Sequence, residues 1–330
     1  MFVGILGGTR HIGPPMVRML MEAGHRVAVF NRGVTPVVLP DGVEHVKVDR
    51  KVEGQLAVAL RAHPPDVIFD CIAMHTADVE PVFEALPELQ HYVWCGSTAV
   101  YGRIGWTTPD ESIPLDADSP YTTGKGDCEE LLKRLYEEKG WPVTMMRLAH
   151  PYGPGDHLLY VSGREAHFLD RMRKGRPILI PGDGTTRMHP IYVDDVARGF
   201  IHVMGNPECM GRIFNLAGEE IPILNEYFES IARVLGVPLV AERIPHEFFH
   251  DHADLWSGWN RGFGFGYNFA RYQSAFDTGA LRDTGFRCHT NHDAGVELTM
   301  EWLEEGNLIP TSSKDDEEDR VLKYLAQGIA

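Results

Sequence analysis

"YTTGK", residues 121–125, sets a tyrosine and a lysine four positions apart. On a helix that spacing stacks Tyr121 and Lys125 on one face. "CGSTAVYG" places Ser97 where the preceding apolar run ends, and in parallel sheets ligands collect at the carboxyl ends of strands. A free tyrosine keeps its proton up to a pKa of ~10. A nearby ammonium favours the phenolate, so a Tyr–Lys pair can release and take back a proton near neutrality while a serine hydroxyl holds the substrate oxygen. Ser97, Tyr121 and Lys125 therefore suit hydride transfer between a nicotinamide and a secondary alcohol or ketone. A lone YxxxK arises often by chance; its meaning here rests on the elements that precede it.

Those elements begin at the first residues. "MFVGIL" reads as a buried strand, and "PPMVRMLMEAG" carries Met16, Val17, Leu20 and Met21 at helical spacing. Pro14 and Pro15 fall in the first turn, where a missing N–H costs little, and Gly24 ends the helix. "HRVAVF" is the next strand. Between the first strand and the helix lies "GGTRHIG", residues 7–13. In such a unit a glycine turn lets backbone N–H groups approach a dinucleotide pyrophosphate at the helix N-terminus. Gly7, Gly8 and Gly13 supply the geometry, and Thr9, Arg10, His11 and Ile12 complete the turn. The second strand ends Phe30-Asn31-Arg32-Gly33, without the carboxylate that would bind a ribose 2′-hydroxyl. Arg10 and Arg32 suit a 2′-phosphate. NADP is therefore expected in preference to NAD; the other reading has Arg10 stacked on the adenine and Arg32 in solvent.

Further strands are expected at 43–49, 66–73, 91–97 and 142–149, and helices at 52–63, 79–86 and 119–140. This alternation predicts an α/β fold with a doubly wound parallel sheet of the Rossmann kind. Beyond about residue 155 the pattern loosens, and Gly, Pro and aromatics rise in "HADLWSGWNRGFGFGYNF" (252–269). Residues 1–165 with about 188–217 are expected to form the dinucleotide-binding domain. About 166–187 and 218–330 would form a smaller, mixed substrate lobe and a tail. "SSKDDEEDRVLKYLAQGIA" reads as a solvated, charged tail.

The 330 residues suffice for a sizeable core. Lys plus Arg number 31 against 47 Asp plus Glu, a net charge of -16, which argues against nucleic acid and anionic membranes as partners. Five scattered cysteines without a CxxC indicate neither a disulfide framework nor a zinc ribbon and fit a reducing cytosol. The first strand begins at once, leaving no signal peptide, and no apolar run reaches the ~18 residues of a membrane span. A cytoplasmic location is expected. "HEFFH", His246 to His250, matches the HExxH zinc pattern with Glu247 as base. It lies in the loose C-terminal part of a chain otherwise organised for a dinucleotide, so no metal is expected.

With these landmarks in order, the sequence resembles an extended short-chain dehydrogenase/reductase of the NAD-dependent epimerase/dehydratase family. "GGTRHIG", "NRG", "VDRK", "GSTAVYG", "YTTGK", "RLAHPYGPGD", "TTRMHPIYVDDVARG" and "IFNLAG" carry the likeness along most of the chain. The GGTR…FNRG variant is similar to a branch that includes chloroplast RNA-binding members. The resemblance implies that Ser97, Tyr121 and Lys125 are catalytic and that Asp49 and Arg50 flank the adenine. It also implies that Ala73 and the His150–Pro151 loop lie near the nicotinamide. Dehydratase members carry an Asp–Glu pair where this chain has Thr98 and Ala99, which sets dehydration aside. His150 stands where sugar-nucleotide enzymes carry Asn. Arg187 fits the residue that grips a substrate diphosphate, and Arg271 is an imperfectly spaced second clamp. Ser97, Thr98, His150, Arg187 and Arg271 are thus the expected substrate contacts. The substrate is expected to be a small carbohydrate-like molecule, with Trp256, Trp259, Phe263 and Tyr267 either holding a ring or packing between lobes. Epimerisation is the favoured net reaction, a one-way reductase or dehydrogenase the next, and a fold-retaining RNA- or protein-binding relative the non-enzyme alternative. Cys128, Leu131, Leu132, Leu135 and Tyr136 are expected to divide between the sheet and a two-fold partner, giving a homodimer.

Overall fold

The computed structural model describes residues 1–105, 107–161, 163–252, 255 and 272–327, without the side chains of Phe249 and His250. The strands are β1 (Phe2–Leu6), β2 (Arg26–Asn31), β3 (Glu44–Lys47), β4 (Val67–Asp70), β5 (His91–Ser97), β6 (Val143–Leu148), β7 (His150–Tyr152), β8 (Leu158–Tyr160), β9 (Gly163–Glu165), β10 (Ile178–Pro181), β11 (Pro190–Tyr192), β12 (Ile213–Leu216) and β13 (Ala241–Ile244). Seven form one sheet in the order β12-β6-β5-β4-β1-β2-β3, with every pairing parallel. The order reverses between β1 and β4, and ligands of open α/β sheets bind at such a switch, at the carboxyl ends of the strands.

The helices are α1 (Gly13–Glu22), α2 (Gln55–Ala62), α3 (Thr76–Ala85), α4 (Pro120–Lys139), α5 (His167–Arg173), α6 (Val193–Val203), α7 (Leu224–Leu235), α8 (Phe248–Asp251), α9 (Gly279–Arg282), α10 (His292–Glu305) and α11 (Glu317–Ala326). Strand side chains alternate between faces. Val3 and Ile5 meet Met16, Val17 and Leu20 of α1 with Val196 and Phe200 of α6. Phe2 and Leu6 meet Leu60 of α2, Val79 of α3 and Leu132 of α4. The sheet is thus covered on both sides, as its near-continuous apolar strands require. The first of these clusters also takes in Phe168, Leu179, Tyr227, Phe228 and Val296. The C-terminal elements are therefore laid over the same core as the sheet.

The acidic run near the C-terminus is docked, which corrects the expectation of a solvated tail. Arg171, wholly buried, pairs with Asp316 and Asp319. Arg176 also reaches Asp319. Glu318, at the start of α11, is buried with one oxygen 2.6 Å from His167. Buried charges need such partners, and these lie about half a chain apart in sequence.

Candidate active site

The start of α4 is fixed by a reciprocal cap. Ser119 Oγ accepts from Thr122 N–H at 3.3 Å, and Thr122 Oγ1 accepts from Ser119 N–H at 3.0 Å. Pro120 opens the helix, so Tyr121 sits in its first turn. A β-carbon at Gly124 would lie 2.4 Å from the Met74 carbonyl and 2.6 Å from His75 Nδ1. The glycine inside YTTGK therefore lets α4 press against the segment leaving β4. This brings Lys125 over the ends of β4 and β5. Its Nζ donates to the carbonyls of Ala73 (2.8 Å) and Cys95 (2.7 Å). It also lies 5.9 Å from the centre of the Tyr121 ring. Lys125 is only 3% exposed, yet it makes no ion pair among the described residues. Ser97 ends β5, half-buried, and its Oγ accepts from Ala99 N–H at 3.2 Å. Below the site, Arg147 of β6 holds Glu129 of α4 through two bonds, 2.8 and 2.6 Å, pinning the helix to the sheet.

The glycine turn is equally specific. Gly7 and Gly8 have φ of 105° and 74°, a region open to glycine, and a β-carbon at Gly13 would meet Gly8 Cα at 2.5 Å. Gly7 N–H donates to Phe30 and Gly13 N–H to Arg10, both at 3.0 Å. Among the described residues the N–H groups of Gly8, Thr9, Arg10, His11 and Ile12 have no acceptor. Such consecutive free donors ahead of a helix form an anion cradle, and the donor set fits a pyrophosphate.

Asn31, expected among the cofactor contacts, is spent within the protein. Its Nδ2 donates to the Gly7 carbonyl (2.9 Å), and its Oδ1 accepts from Gly33 N–H (2.7 Å) and lies 3.0 Å from His45 Nε2. Arg50 is also turned inward: it forks onto Asp70 at 3.0 and 2.9 Å and donates to the Asp78 carbonyl. Its guanidinium ties β4 to α3. Asp49 accepts from Lys51 N–H at 3.0 Å. Arg10 and Arg32 are exposed and make no ion pair among the described residues.

Burial, helped by Arg164 and His189, lowers the His150 pKa to about 3, so this ring is neutral at pH 7. Burial and Arg164 lower His11 to about 4. Arg164 itself was not foreseen. It stands on β9, donates to the Pro151 carbonyl, and pairs with Asp156 at 2.8 Å. Asp156 in turn lies 3.5 Å from His11. A clasp from the Pro151–Asp156 loop to the turn results, and neither spacing nor periodicity announced it. Thr98, expected to touch substrate, is buried, and its hydroxyl donates to the Leu148 carbonyl. Ala73 offers only backbone, and its carbonyl is held by Lys125. Arg187 is exposed with no ion pair among the described residues. Arg271, Trp256, Trp259, Phe263 and Tyr267 lie outside the described residues, as does the His250 side chain of HEFFH. Among the described residues no group of three metal-ligating side chains occurs.

The expected dimer face of α4 changes character. Cys128, Leu131, Leu132 and Leu135 all enter the protein's own core. Tyr136 alone of the five is exposed, beside Thr123, Asp127, Glu130, Lys133, Arg134 and Glu137.

The family model "NAD dependent epimerase/dehydratase family" matches residues 3–217. The chain is 33% identical over 247 residues to a chloroplast stem-loop binding protein of 41 kDa from Arabidopsis thaliana, an alignment covering 71% of this chain and 63% of that one. It is 25% identical to a 2'-dehydrokanamycin reductase from Streptomyces kanamyceticus, over 74% of this chain and 69% of the other. Among solved structures, a UDP-glucose 4-epimerase from Thermotoga maritima with UDP-glucose superposes with a TM-score of 0.74 at 20% identity, covering 93% and 100% of the two chains. A Thermus thermophilus UDP-glucose 4-epimerase in complex with NAD gives 0.73 at 21% identity, covering 92% and 99%.

Proposed function

The chain belongs to the NAD-dependent epimerase/dehydratase family, and we propose that it is a hydride-transfer enzyme of the epimerase type acting on a secondary alcohol or ketone of a sugar or sugar nucleotide. The observation that carries this reading is Lys125: a buried amine held by two carbonyls, with no carboxylate among the described residues, next to Tyr121. A buried positive charge without a counter-ion is costly, and Tyr121 Oη is the group placed beside it to carry the negative charge of the proton-transfer step. The cofactor, when bound, supplies a nicotinamide that takes and returns hydride. Tyr121 Oη takes the proton of the substrate hydroxyl and gives it back when the alcohol re-forms. Lys125 stabilises the phenolate, and Ser97 Oγ–H donates to the substrate oxygen. Neutral His150 adds no charge beside them. The backbone N–H groups of the Gly7–Gly13 turn hold the pyrophosphate.

NADP is the preferred cofactor on this reading, supported by a β2 end without a carboxylate and by exposed Arg10 and Arg32. Similarity to a 2'-dehydrokanamycin reductase favours a second reading, a reductase that releases its cofactor each turnover. Denaturing the purified, dialysed protein and identifying released nucleotide by mass separates the two. Stoichiometric nucleotide supports the epimerase; an empty protein that binds added NADPH supports the reductase. The stem-loop binding relative motivates a third comparison, with an RNA hairpin. The net charge of -16 opposes that partner, so no hairpin shift is expected at 0.15 M salt. A homodimer through α4 would join charged faces, and light scattering across a salt series reads it.

A further inference from the structure

Strand β3 adds a cation to the adenosine end that the second strand alone does not reveal. Asn31, the last residue of β2, is in register with Lys47, the last residue of β3. Three carbons of the Lys47 stem pass between 3.2 and 3.4 Å from where a β-carbon at Gly33 would be. The glycine after Arg32 thus leaves the path along which Lys47 runs to the carboxyl edge of the sheet. Lys47 is exposed and makes no ion pair among the described residues. Of the neighbouring charges, Glu44 pairs with His63 and Arg26, Lys51 pairs with Asp78, and the Asp49 carboxylate accepts from Lys51 N–H. Asn31 has its amide oxygen and one amide hydrogen bonded inside the protein.

Resting on the NADP reading, we infer that Lys47 is a specificity-determining residue, its ammonium contacting the ribose 2′-phosphate from β3 while Arg32 meets it from β2. An arginine fork and a mobile ammonium recognise a phosphate dianion in complementary ways, one by planar geometry and one as a point charge.

The test is calorimetric titration of NADP⁺ and NAD⁺ into the wild type, Lys47→Met and Lys51→Met, each first stripped of any bound nucleotide, with thermal melts to confirm folding. Lys47→Met should weaken NADP⁺ roughly ten- to a hundredfold, the range for one charge-assisted contact, and leave NAD⁺ unchanged. Lys51→Met should leave the ratio of affinities at the wild-type value. A wild type that prefers NADP⁺, with a Lys47→Met variant of unchanged ratio, overturns the role of Lys47 alone. A wild type that prefers NAD⁺, or binds neither, overturns the NADP reading and this inference with it.

Discussion

On the proposed mechanism the chemistry turns on Tyr121, and Lys125 is the charged side chain stacked beside its ring. Lys125 spends two donors on the Ala73 and Cys95 carbonyls. These bonds fix its ammonium beside the phenol without neutralising it. Replacing Tyr121 by Phe removes the exchangeable proton and keeps the ring. Turnover should fall by roughly 10²–10⁴-fold, the usual worth of a positioned acid–base group, while NADPH affinity measured by fluorescence titration stays within twofold. Full activity in that variant would remove Tyr121 from the mechanism. The Tyr–Lys pair and the glycine turn were legible in the sequence because their spacing converts directly into helix and turn geometry. The fates of Asn31 and Arg50 were not. Each is decided by a partner elsewhere in the chain, Gly7 for the first and Asp70, 20 residues on, for the second. Local pattern carries no record of such pairings.

Helix α4 shows how an element delivers those residues. Its cap sets where it begins, the Arg147–Glu129 pair sets how it lies on β6, and Gly124 sets how near it comes to the end of β4. Gly124→Ala would push a β-carbon to 2.4 Å from a backbone oxygen, and overpacking of this kind costs about 1–3 kcal/mol. A folded protein with a lower melting temperature and at least tenfold lower kcat is the expected result. Unchanged kcat would mean that the close approach does not position Tyr121 and Lys125. Gly13→Ala acts on the turn in the same way, against Gly8 Cα. It should weaken NADPH and NADH alike, since both carry the pyrophosphate, whereas Lys47→Met should touch only one of them. Six of the seven strands of the sheet and helices α1 to α4 were foreseen, because apolar runs and 3.6-residue spacing report burial directly, whereas β12 and α6, beyond residue 155, were not called as elements. Arg164 and its Asp156 clasp were not, because they sit on short strands and loops where no period is left to read.

On the scale of the molecule, one core joins the sheet to the C-terminal elements, and the tail helix α11 closes over it. His167 stands between Glu165 and Glu318, 2.6 Å from each. Burial works against its charge, but the hydrogen bonds to both carboxylates prevail and raise its pKa to about 10. A group raised above its unfolded value of 6.5 stabilises the fold fully below pH 6.5, and that stabilisation is lost as pH climbs through 10. The unfolding free energies of the wild type and His167→Gln should therefore differ most below pH 6.5 and converge above pH 10, as urea titrations across that range will read. A gap that stays constant across the window would mean that the two carboxylates do not hold a protonated ring. The docked tail eluded the sequence because the acidic run shows only its own charge. The cations that neutralise it lie on and after α5, up to 151 residues earlier.

On the proposed function this chain binds a nicotinamide dinucleotide at the Gly7–Gly13 turn and prefers the 2′-phosphorylated form. Equilibrium titration of the wild-type protein, first stripped of any nucleotide it carries, with NADPH and with NADH, followed by nicotinamide fluorescence at 0.15 M salt, decides it. Saturable, one-to-one binding of both is expected, with NADPH at least tenfold tighter. Binding of neither would contradict it at the root, and tighter NADH would contradict the assignment of Arg10, Arg32 and Lys47 to the phosphate.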